Sequence, residues 1–324
     1  MASSDQAQAL WYVAPGKAEI RAETLPSPAP GGVRLAAVAS ALSRGTERLV
    51  FAGRVPESEY ERMRAPFMSG AFPFPVKYGY AMVGRVEAGP AALKGRLAFA
   101  LFPHQTAFNL AVENIVLLPD GLPPERAVLG ANMETALNAI WDGAAGPADR
   151  VAVVGAGVLG LLVARLAAAM RADVTVVDTN PQRAAVAAEL GAAFAPPDKA
   201  PENCDLVVHT SASAAGLATA LRLAGDEATV LELSWYGSDE VKVPLGDVFH
   251  SRRLKLISSQ VGKVAPSRRP RWDYRRRLTA ALDLLRDEAL DALLAPPVAF
   301  RELPARLPDI LTPASGGLCQ VITY

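Results

Sequence analysis

The amino-acid sequence predicts an α/β protein with two domains, a small β-rich domain and a doubly wound parallel sheet. Short apolar segments punctuated by Pro and Gly fill roughly residues 8–125, which is typical of a β-rich domain. Apolar strands then alternate with Ala- and Leu-rich helices from residue 151 to about residue 258, as in a parallel sheet that is covered on both faces. A chain of 324 residues is also long for one compact unit.

The boundaries of the elements follow from periodicity and from turn residues. A helix is expected at 124–142, because apolar residues recur there at helical spacing. Residues 1–123 with 296–324 are expected to form the β-rich domain, and residues 124–295 the parallel domain. The other expected elements are strands at 32–40, 79–88, 96–102, 151–154, 174–178, 205–209, 229–233, 254–258 and 319–324, and helices at 160–171, 183–190 and 274–286.

Composition narrows the classes of function. The chain has 33 Lys and Arg residues against 33 Asp and Glu residues, so we expect no nucleic-acid partner. No apolar run approaches the roughly 20 residues that a membrane-spanning helix needs, and no basic segment opens the chain, so we expect a cytoplasmic protein without a membrane partner. Cys204 and Cys319 are isolated in sequence, which predicts neither a metal knuckle nor a disulfide.

The strongest motif is a glycine-rich turn between an apolar strand and an apolar helix. Gly155, Gly157 and Gly160 give the spacing G-x-G-x-x-G. The first permits a tight turn, the second lets a pyrophosphate approach the backbone, and the third lets helix and strand pack closely. The helix N-terminus at Val158 and Leu159 supplies N–H groups and a partial positive charge. This context predicts a nicotinamide dinucleotide site.

A carboxylate at the end of the second strand indicates which dinucleotide is preferred. Asp178 stands where an acidic residue accepts hydrogen bonds from the adenosine ribose, and its charge would repel a 2′-phosphate. NAD(H) is therefore favoured, while Arg183 keeps NADP(H) possible because it could reach a phosphate. Residues that follow later strands are expected to complete the cofactor site: Ser211, Trp235, Ser259 and Gln260. Trp235 could equally be a core or dimer-contact residue.

The order of these features resembles the medium-chain dehydrogenase/reductase superfamily over essentially the whole chain. A β-domain comes first, followed by a helix with Glu134, Thr135 and Ala136, a Rossmann domain and a C-terminal return. The resemblance implies a GroES-like substrate domain beside the Rossmann domain, hydride transfer with a nicotinamide cofactor, and a homodimer.

The metal ligands of the zinc-dependent members are missing. Those members carry a Cys-Gly-Thr-Asp-like segment and a Gly-His-Glu segment. Here Ser43 or Arg44 stands at the Cys position, Tyr80 at the His position and Ala81 at the Glu position, and the third ligand corresponds to about Ala131. A four-cysteine lobe is also absent. Because catalytic zinc needs about three N, S or carboxylate ligands, we expect no zinc.

Two zinc-free branches remain by resemblance. Quinone and enone reductases need no metal, since their acceptor is a conjugated double bond. The segment 43–56 is similar to the bacteriochlorophyllide dehydrogenase branch, which oxidises a hydroxyethyl side chain on a tetrapyrrole. Residues 53–79 are rich in Phe, Met and Pro, and we interpret them as a lid or wall for a bulky substrate, or else as a packing loop.

Without a metal, hydrogen-bond donors must polarise the substrate oxygen. By the resemblance, Tyr80 projects toward the nicotinamide and could donate a proton, while Thr46 and Ser43 could relay one. Glu47 and Glu134 are candidate acid/base residues if burial raises their pKa.

Each of these candidates has a structural alternative. Tyr80 could simply pack against its neighbours, and Ser43 could cap a turn. Glu47 could pair on the surface with Arg44 or Arg48, and Glu134 could buttress its helix. For His104 and His209 we favour structural roles.

The sequence therefore predicts a zinc-independent NAD(P)(H)-dependent oxidoreductase. It is expected to transfer hydride to or from a carbonyl, an alcohol or a conjugated double bond of a bulky small-molecule substrate. The alternative is a catalytically inactive dinucleotide sensor or scaffold protein.

Overall fold

The structure is a computed structural model that describes residues 5–312 and 316–324. Its strands are β1 (Gln6–Ala14), β2 (Lys17–Thr24), β3 (Gly32–Leu42), β4 (Ser69–Gly70), β5 (Val76–Lys77), β6 (Met82–Ala88), β7 (Leu97–Ala100), β8 (Ala107–Ala111), β9 (Val116–Leu117), β10 (Arg150–Val154), β11 (Asp173–Val177), β12 (Ala193–Ala195), β13 (Cys204–His209), β14 (Ala224–Glu232), β15 (Lys255–Ser258), β16 (Leu294–Ala299) and β17 (Cys319–Thr323). Its α-helices are α1 (Arg44–Phe51), α2 (Pro124–Ala127), α3 (Gly130–Gly143), α4 (Val158–Ala169), α5 (Arg183–Glu189), α6 (Ala214–Leu223), α7 (Val248–Ser251), α8 (Tyr274–Leu284) and α9 (Leu303–Ile310).

The chain divides into two compact units. Unit 1 consists of residues up to Ala131 together with Leu282–Arg286 and Leu294–Tyr324. Unit 2 consists of Asn132–Ala281 and Asp287–Leu293.

Unit 1 is built from two sheets. One has the strand order β2-β1-β5-β4, and the other has the order β16-β17-β3-β6-β7-β9 with β8 paired to β3. The pairs are antiparallel except for β16 with β17. Alternating side chains of the second sheet form an apolar core, including Val33, Leu35, Met82, Phe102 and Phe108. Alternation of this kind buries one face of an antiparallel sheet.

Unit 2 contains a six-stranded parallel sheet in the order β12-β11-β10-β13-β14-β15. The strands are apolar on both faces, since Val151, Val153, Val207 and Val230 are all fully buried. The connections run outward from β10 to one side and from β13 to the other. The strand order therefore reverses between β10 and β13, and ligands of open parallel sheets bind at such a reversal, beyond the carboxyl ends of the strands. The predicted combination of a β-rich domain and a Rossmann-type parallel domain is confirmed.

The helix expected at 124–142 is in fact two helices. α2 ends at Ala127, the chain turns through Val128 and Leu129, and α3 begins at Gly130. The turn brings Gly130 against the ring of Phe99, where an added Cβ would lie 2.9 Å from Cε2. The periodicity continues through the break because apolar residues are buried on both sides of it, such as Ala127, Met133 and Ala136.

The strand expected at 79–88 begins later, at Met82. Gly79 has a φ of +124°, which lies outside the strand region and favours glycine. The chain therefore turns at Gly79 and Tyr80 before it enters the sheet, and Tyr80 is available for contacts other than strand packing.

The search for spanning helices covered the described residues. Among them, no helix combines the length and the apolar character needed to cross a membrane.

Candidate functional site

Three predicted catalytic residues of unit 1 lie within hydrogen-bonding distance of one another. The Tyr80 hydroxyl donates to Ser43 Oγ and lies 3.1 Å from Thr46 Oγ1. All three residues are half-buried, so the cluster is neither sealed in the core nor fully in solvent. We call these three residues the hydroxyl cluster.

The start of α1 positions two members of the hydroxyl cluster. Ser43 is the residue before the helix, yet its side chain makes no capping hydrogen bond and accepts from Tyr80 instead. Thr46 lies in the first turn, on the same side. The carboxylate of Glu47 reaches back to the Ser43 N–H at 2.7 Å, which satisfies a donor that a helix start leaves unpaired.

The environment of Tyr80 keeps its proton in place. Burial raises the pKa of the phenol, and nearby Glu47 raises it further, whereas the hydrogen bonds to Ser43 and Thr46 lower it. The net direction is upward from 10.0. The hydroxyl is therefore a donor at neutral pH.

Glu47 is buried and not on the surface, so the alternative of a surface ion pair with Arg44 or Arg48 is wrong. Its exposed fraction is 0%. Its Oε2 accepts from the Tyr12 hydroxyl at 2.6 Å and lies 3.1 Å from His104 Nε2. These hydrogen bonds satisfy the buried carboxyl group, which supports the start of α1.

His104 extends this network, in agreement with the structural role favoured for it. Its Nδ1 lies 2.8 Å from Ser40 Oγ, which in turn lies 2.8 Å from the Tyr324 hydroxyl. The ring packs on Gly79, where an added Cβ would lie 2.8 Å from Cδ2. Glycine at 79 is thus needed for the close approach of the imidazole as well as for the turn.

The residues at the zinc-ligand positions do not fit zinc. Tyr80 and Ser43 offer neutral hydroxyls that bond each other, and Arg44 donates to the carbonyls of Gly317 and Thr312. Within residues 5–312 and 316–324 there is no group of three or more His, Cys, Asp or Glu side chains that could hold a metal ion. A zinc site needs about three such ligands.

The glycine-rich turn of unit 2 has the geometry of a dinucleotide cradle. An added Cβ on Gly160 would lie 2.0 Å from the Gly155 carbonyl oxygen, so only glycine allows α4 to pack against the turn. At Gly157, by contrast, an added Cβ would meet nothing within 4 Å. The open space therefore lies in front of the N-terminus of α4, where the N–H groups of Val158 and Leu159 have no partner within the helix.

Asp178 has a role that sequence reasoning missed. Its Oδ2 accepts from the Ala156 N–H at 2.7 Å and its Oδ1 accepts from the Asn180 N–H at 2.8 Å. The carboxylate therefore fixes the glycine-rich turn to the end of β11. Each oxygen keeps a second lone pair for a ligand. Arg183 begins α5 and is half-buried.

Ser211 follows β13 and borders the same turn. Its backbone nitrogen lies 2.8 Å from the position of an added Cβ on Gly155. Its Oγ lies 2.6 Å from His209 Nε2, and His209 Nδ1 lies 2.7 Å from Glu232 Oε2. The Tyr236 hydroxyl donates to the same Glu232 oxygen at 2.9 Å.

Glu134 is held by an ion pair, in line with its structural alternative. The Nε of Arg277 donates to its Oε1 at 3.0 Å, and Arg277 also donates to Asn138 Oδ1 at 2.6 Å. Burial raises the pKa of Glu134, and the charge and hydrogen bond of Arg277 lower it, with a net rise from 4.5. The pair ties α3 to α8 within unit 2.

The remaining predicted cofactor residues all follow strands of the parallel sheet. Trp235 follows β14 and is half-buried. Ser259 follows β15, and its hydroxyl donates to Asp142 Oδ2 at 2.7 Å. Gln260 accepts from the Gly262 N–H at 2.6 Å, so its side chain shapes its own turn.

Two hydrogen-bond networks have now been described: the first contains Glu47 and His104, and the second contains His209, Ser211 and Glu232. Several of their residues carry no signal in the sequence. Tyr12 and Ser40 belong to ordinary strand patterns, and Glu232 ends an apolar strand. The spacing of His209 and Ser211 at a strand end was the one available hint for the second network, because side chains two apart share one face of a strand.

Comparison with known proteins agrees with this architecture. Residues 158–280 match the family described as zinc-binding dehydrogenase. The NADP-dependent alcohol dehydrogenase C 1 of Mycolicibacterium smegmatis is 30% identical over 204 residues, which cover 58% of this chain and 58% of that protein. The chain thus matches a little over half the length of this curated relative.

Solved structures resemble the chain over nearly its whole length. The 2R,3R-butanediol dehydrogenase from Bacillus subtilis has a TM-score of 0.78 at 16% identity and covers 98% of this chain and 99% of its own. The acetophenone reductase from Geotrichum candidum, in complex with NAD, has a TM-score of 0.79 at 17% identity. The match covers 100% of this chain and 99% of the reductase. At these identities the likeness concerns the fold. The match over residues 158–280 and the curated relatives are likewise of the dehydrogenase type, so the chain is similar to dehydrogenases in its fold and over its parallel domain.

Proposed function

We propose that the chain is an NAD(P)(H)-dependent oxidoreductase that needs no catalytic zinc. The observation that carries the proposal is the hydroxyl cluster of Tyr80, Ser43 and Thr46, found at positions where zinc-dependent relatives are expected to hold their metal. A bound nicotinamide cofactor would supply the hydride, so the protein has to bind and orient the substrate and to protonate its oxygen.

The hydroxyl cluster can perform the proton chemistry. Three hydroxyls hold three protons, and their two mutual hydrogen bonds use two of them. One proton is left to donate to a substrate oxygen, which stabilises negative charge as it develops there. Glu47 holds the Ser43 backbone, and through it the direction of the Ser43 hydroxyl.

The cofactor we propose is NAD(H) in preference to NADP(H). The support is the cradle in front of Gly157 and the carboxylate of Asp178 beside it. The charge of Asp178 would disfavour a 2′-phosphate.

The substrate we propose is bulky and aromatic. A series of rings leads through unit 1 toward the hydroxyl cluster: centroids are 5.6 Å apart for Tyr60 and Phe72, 5.8 Å for Phe72 and Tyr78, and 6.0 Å for Tyr78 and Tyr80. Phe67, in the same segment, is 42% exposed. Aromatic surfaces of this kind bind planar apolar ligands by offset or edge-on contacts.

A homodimer is proposed as the assembly. β15 is an outer strand of the six-stranded sheet, and Ile257 on it is 39% exposed. An unpaired outer strand with apolar exposure is a template for pairing with another chain. Sedimentation velocity would report the mass, and a monomer at micromolar concentration would contradict this assembly.

The test of the function compares two neighbouring tyrosines. Tyr80→Phe removes a hydroxyl of the cluster, and Tyr78→Phe removes the adjacent hydroxyl, which donates to the Met63 carbonyl. With a panel of aromatic aldehydes, ketones, enones and quinones, we expect Tyr80→Phe to lower kcat about 100-fold with unchanged NADH affinity. Tyr78→Phe should stay within about twofold of the parent. Equal kcat in the parent and Tyr80→Phe would reject the role of the cluster.

Two further measurements test the cofactor and the metal. Fluorescence titration should show tighter NADH than NADPH binding, and Asp178→Asn should narrow that difference. Turnover should be unaffected by dialysis against a chelator, and a rate that rises on adding zinc would reject the metal-free mechanism. If the chain binds NADH and no acceptor supports turnover, it is a dinucleotide sensor.

A further inference from the structure

Unit 2 holds a serine, a histidine and a carboxylate in series outside the hydroxyl cluster. Ser211 Oγ lies 2.6 Å from His209 Nε2, and His209 Nδ1 lies 2.7 Å from Glu232 Oε2. His209 is 0% exposed, whereas Ser211 is half-buried. The series therefore begins in the core and ends at a half-buried serine.

The hydrogen bonds around Glu232 determine where the protons are. Burial alone would raise the pKa of this carboxyl, but hydrogen bonds from His209 and Ser234 and the attraction of His209 lower it overall. An ionised Glu232 accepts the Nδ1–H of His209, and it also accepts the Ser234 N–H at 2.7 Å. In the tautomer that donates Nδ1–H to Glu232, the Nε2 lone pair accepts the Ser211 hydroxyl proton.

The neighbours of Ser211 complete a consistent set of donors. The Gly216 N–H donates to Ser213 Oγ at 3.0 Å, and Ser213 Oγ lies 3.0 Å from Ser211 Oγ. With its acceptor role filled by Gly216, Ser213 can donate to Ser211 and stabilise an alkoxide there. Ser211 also stands just before α6, a helix of ten residues whose first N–H groups favour negative charge.

The serine, the imidazole and the carboxylate stand in the same order in enzymes that use a serine nucleophile. There the serine hydroxyl bonds one imidazole nitrogen, the second nitrogen bonds a buried carboxylate, and backbone N–H groups stabilise the oxyanion. Such constellations are recognised by geometry and not by sequence position.

We propose that Ser211 is an activated nucleophile that accepts acyl groups from activated esters, giving the chain a second, hydrolytic activity. Ser211 Oγ attacks the ester carbonyl carbon while its proton passes to His209 Nε2. The bond to the alcohol oxygen then breaks, and His209 returns the proton to that leaving group. Water attacks the acyl-serine with His209 as the base, which releases the carboxylic acid and restores Ser211.

The test uses the full chain without any dinucleotide, so that its outcome does not depend on the proposed function. The probes are a fluorophosphonate and p-nitrophenyl acetate. We expect one fluorophosphonate per chain on the peptide that contains Ser211. We also expect release of p-nitrophenol that is at least about tenfold slower in Ser211→Ala and in His209→Gln.

The control is Ser238→Ala, which removes an exposed serine of the same unit. It should be labelled and should hydrolyse ester like the parent. Circular dichroism establishes that each variant is folded. Because Ser211→Ala removes only one oxygen atom, it still tests the proposal if His209→Gln does not fold. Labelling at another residue, labelling that persists unchanged in His209→Gln, or hydrolysis that persists in Ser211→Ala would overturn the proposal.

Discussion

Two buried histidines, one in each unit, are held in opposite ways. His104 and His209 are both 0% exposed, and each lies between a glutamate and a serine. In unit 1 the Nε2 of His104 faces Glu47 and its Nδ1 faces the buried Ser40. In unit 2 the ring is reversed, so that Nδ1 faces the carboxylate and Nε2 faces the half-buried Ser211.

The difference separates a support from a reactive group. In the first network the serine beside the imidazole, Ser40, is 0% exposed, and its hydroxyl lies 2.8 Å from the hydroxyl of Tyr324, so this serine does not meet a ligand. The second network ends at a hydroxyl beside the open glycine-rich turn. The same three residue types, a glutamate, a histidine and a serine, therefore contribute mainly to stability in unit 1, and in unit 2 they can contribute to the proposed chemistry.

The largest expected effect is on the carboxylate of the first network. Glu47→Ala leaves Tyr12, His104 and the Ser43 N–H without their shared acceptor, so we expect the free energy of unfolding to fall by about 4 kcal/mol. Glu232 has a side chain that is 15% exposed, and water can replace part of its role. Glu232→Ala should therefore cost about half as much. Urea denaturation followed by circular dichroism measures both, and the reverse order would contradict the comparison.

The next effect concerns the glycine that packs on each network. An added Cβ on Gly79 meets the rigid ring of His104 at a φ of +124°, so Gly79→Ala should cost about 3 kcal/mol. An added Cβ on Gly216 would lie 2.0 Å from Ser211 Oγ, which can rotate, and 2.7 Å from Nε2 of the buried His209 ring, which must shift. Alanine favours the helix and offsets part of this cost.

We therefore expect Gly216→Ala to lower the free energy of unfolding by about 2 kcal/mol, less than Gly79→Ala because no positive φ adds strain, while separating Ser211 from His209. Thermal melting gives the stability, and fluorophosphonate labelling gives the state of Ser211. A labelled, fully reactive Gly216→Ala protein would show that the hydrogen bond is not what activates the serine.

The smallest expected effect is on how the free energy of unfolding depends on pH, and it concerns Glu232 of the second network. Because the folded-state pKa of Glu232 is lowered from 4.5, its ionisation contributes stability that is present above pH 4.5 and lost as the pH falls through the folded-state value. We expect Glu232→Gln to be about 1 to 2 kcal/mol less stable than the parent at pH 7. The two proteins should converge as the pH falls below 4.5 and through the folded-state pKa, as urea denaturation at several pH values would show. A difference that does not vary with pH would assign the cost to packing.

Local spacing was enough to predict part of the molecule. The turn at Gly155, Gly157 and Gly160 could be predicted because three residues within six positions dictate its backbone, and the strand and helix beside it are strongly apolar. The cluster of Tyr80 with Ser43 and Thr46 required the resemblance to a family, since 34 or more residues separate the partners.

The networks behind these residues could not be predicted from spacing. Tyr12 and Glu47 are 35 residues apart, and Glu47 and His104 are 57 apart, with no motif to connect them. Glutamate is usually exposed, which is why a surface ion pair was the alternative for Glu47. The break at Val128 and Leu129 was hidden for a related reason, because hydrophobic periodicity reports which face is buried and not whether the backbone is continuous.

The two hydrogen bonds that Asp178 accepts have a consequence for redesign of cofactor preference. In the proposed NAD(H) site, a change at this position would alter the backbone of residue 156 at the same time as the charge that faces the ribose, so that affinity and selectivity would change together. An exchange of Asp178 for a small neutral acceptor such as Ser or Asn keeps a partner for the Ala156 N–H, whereas Ala or Gly removes it. Engineering toward NADP(H) should therefore begin from polar replacements and introduce the cationic partner separately, on α5.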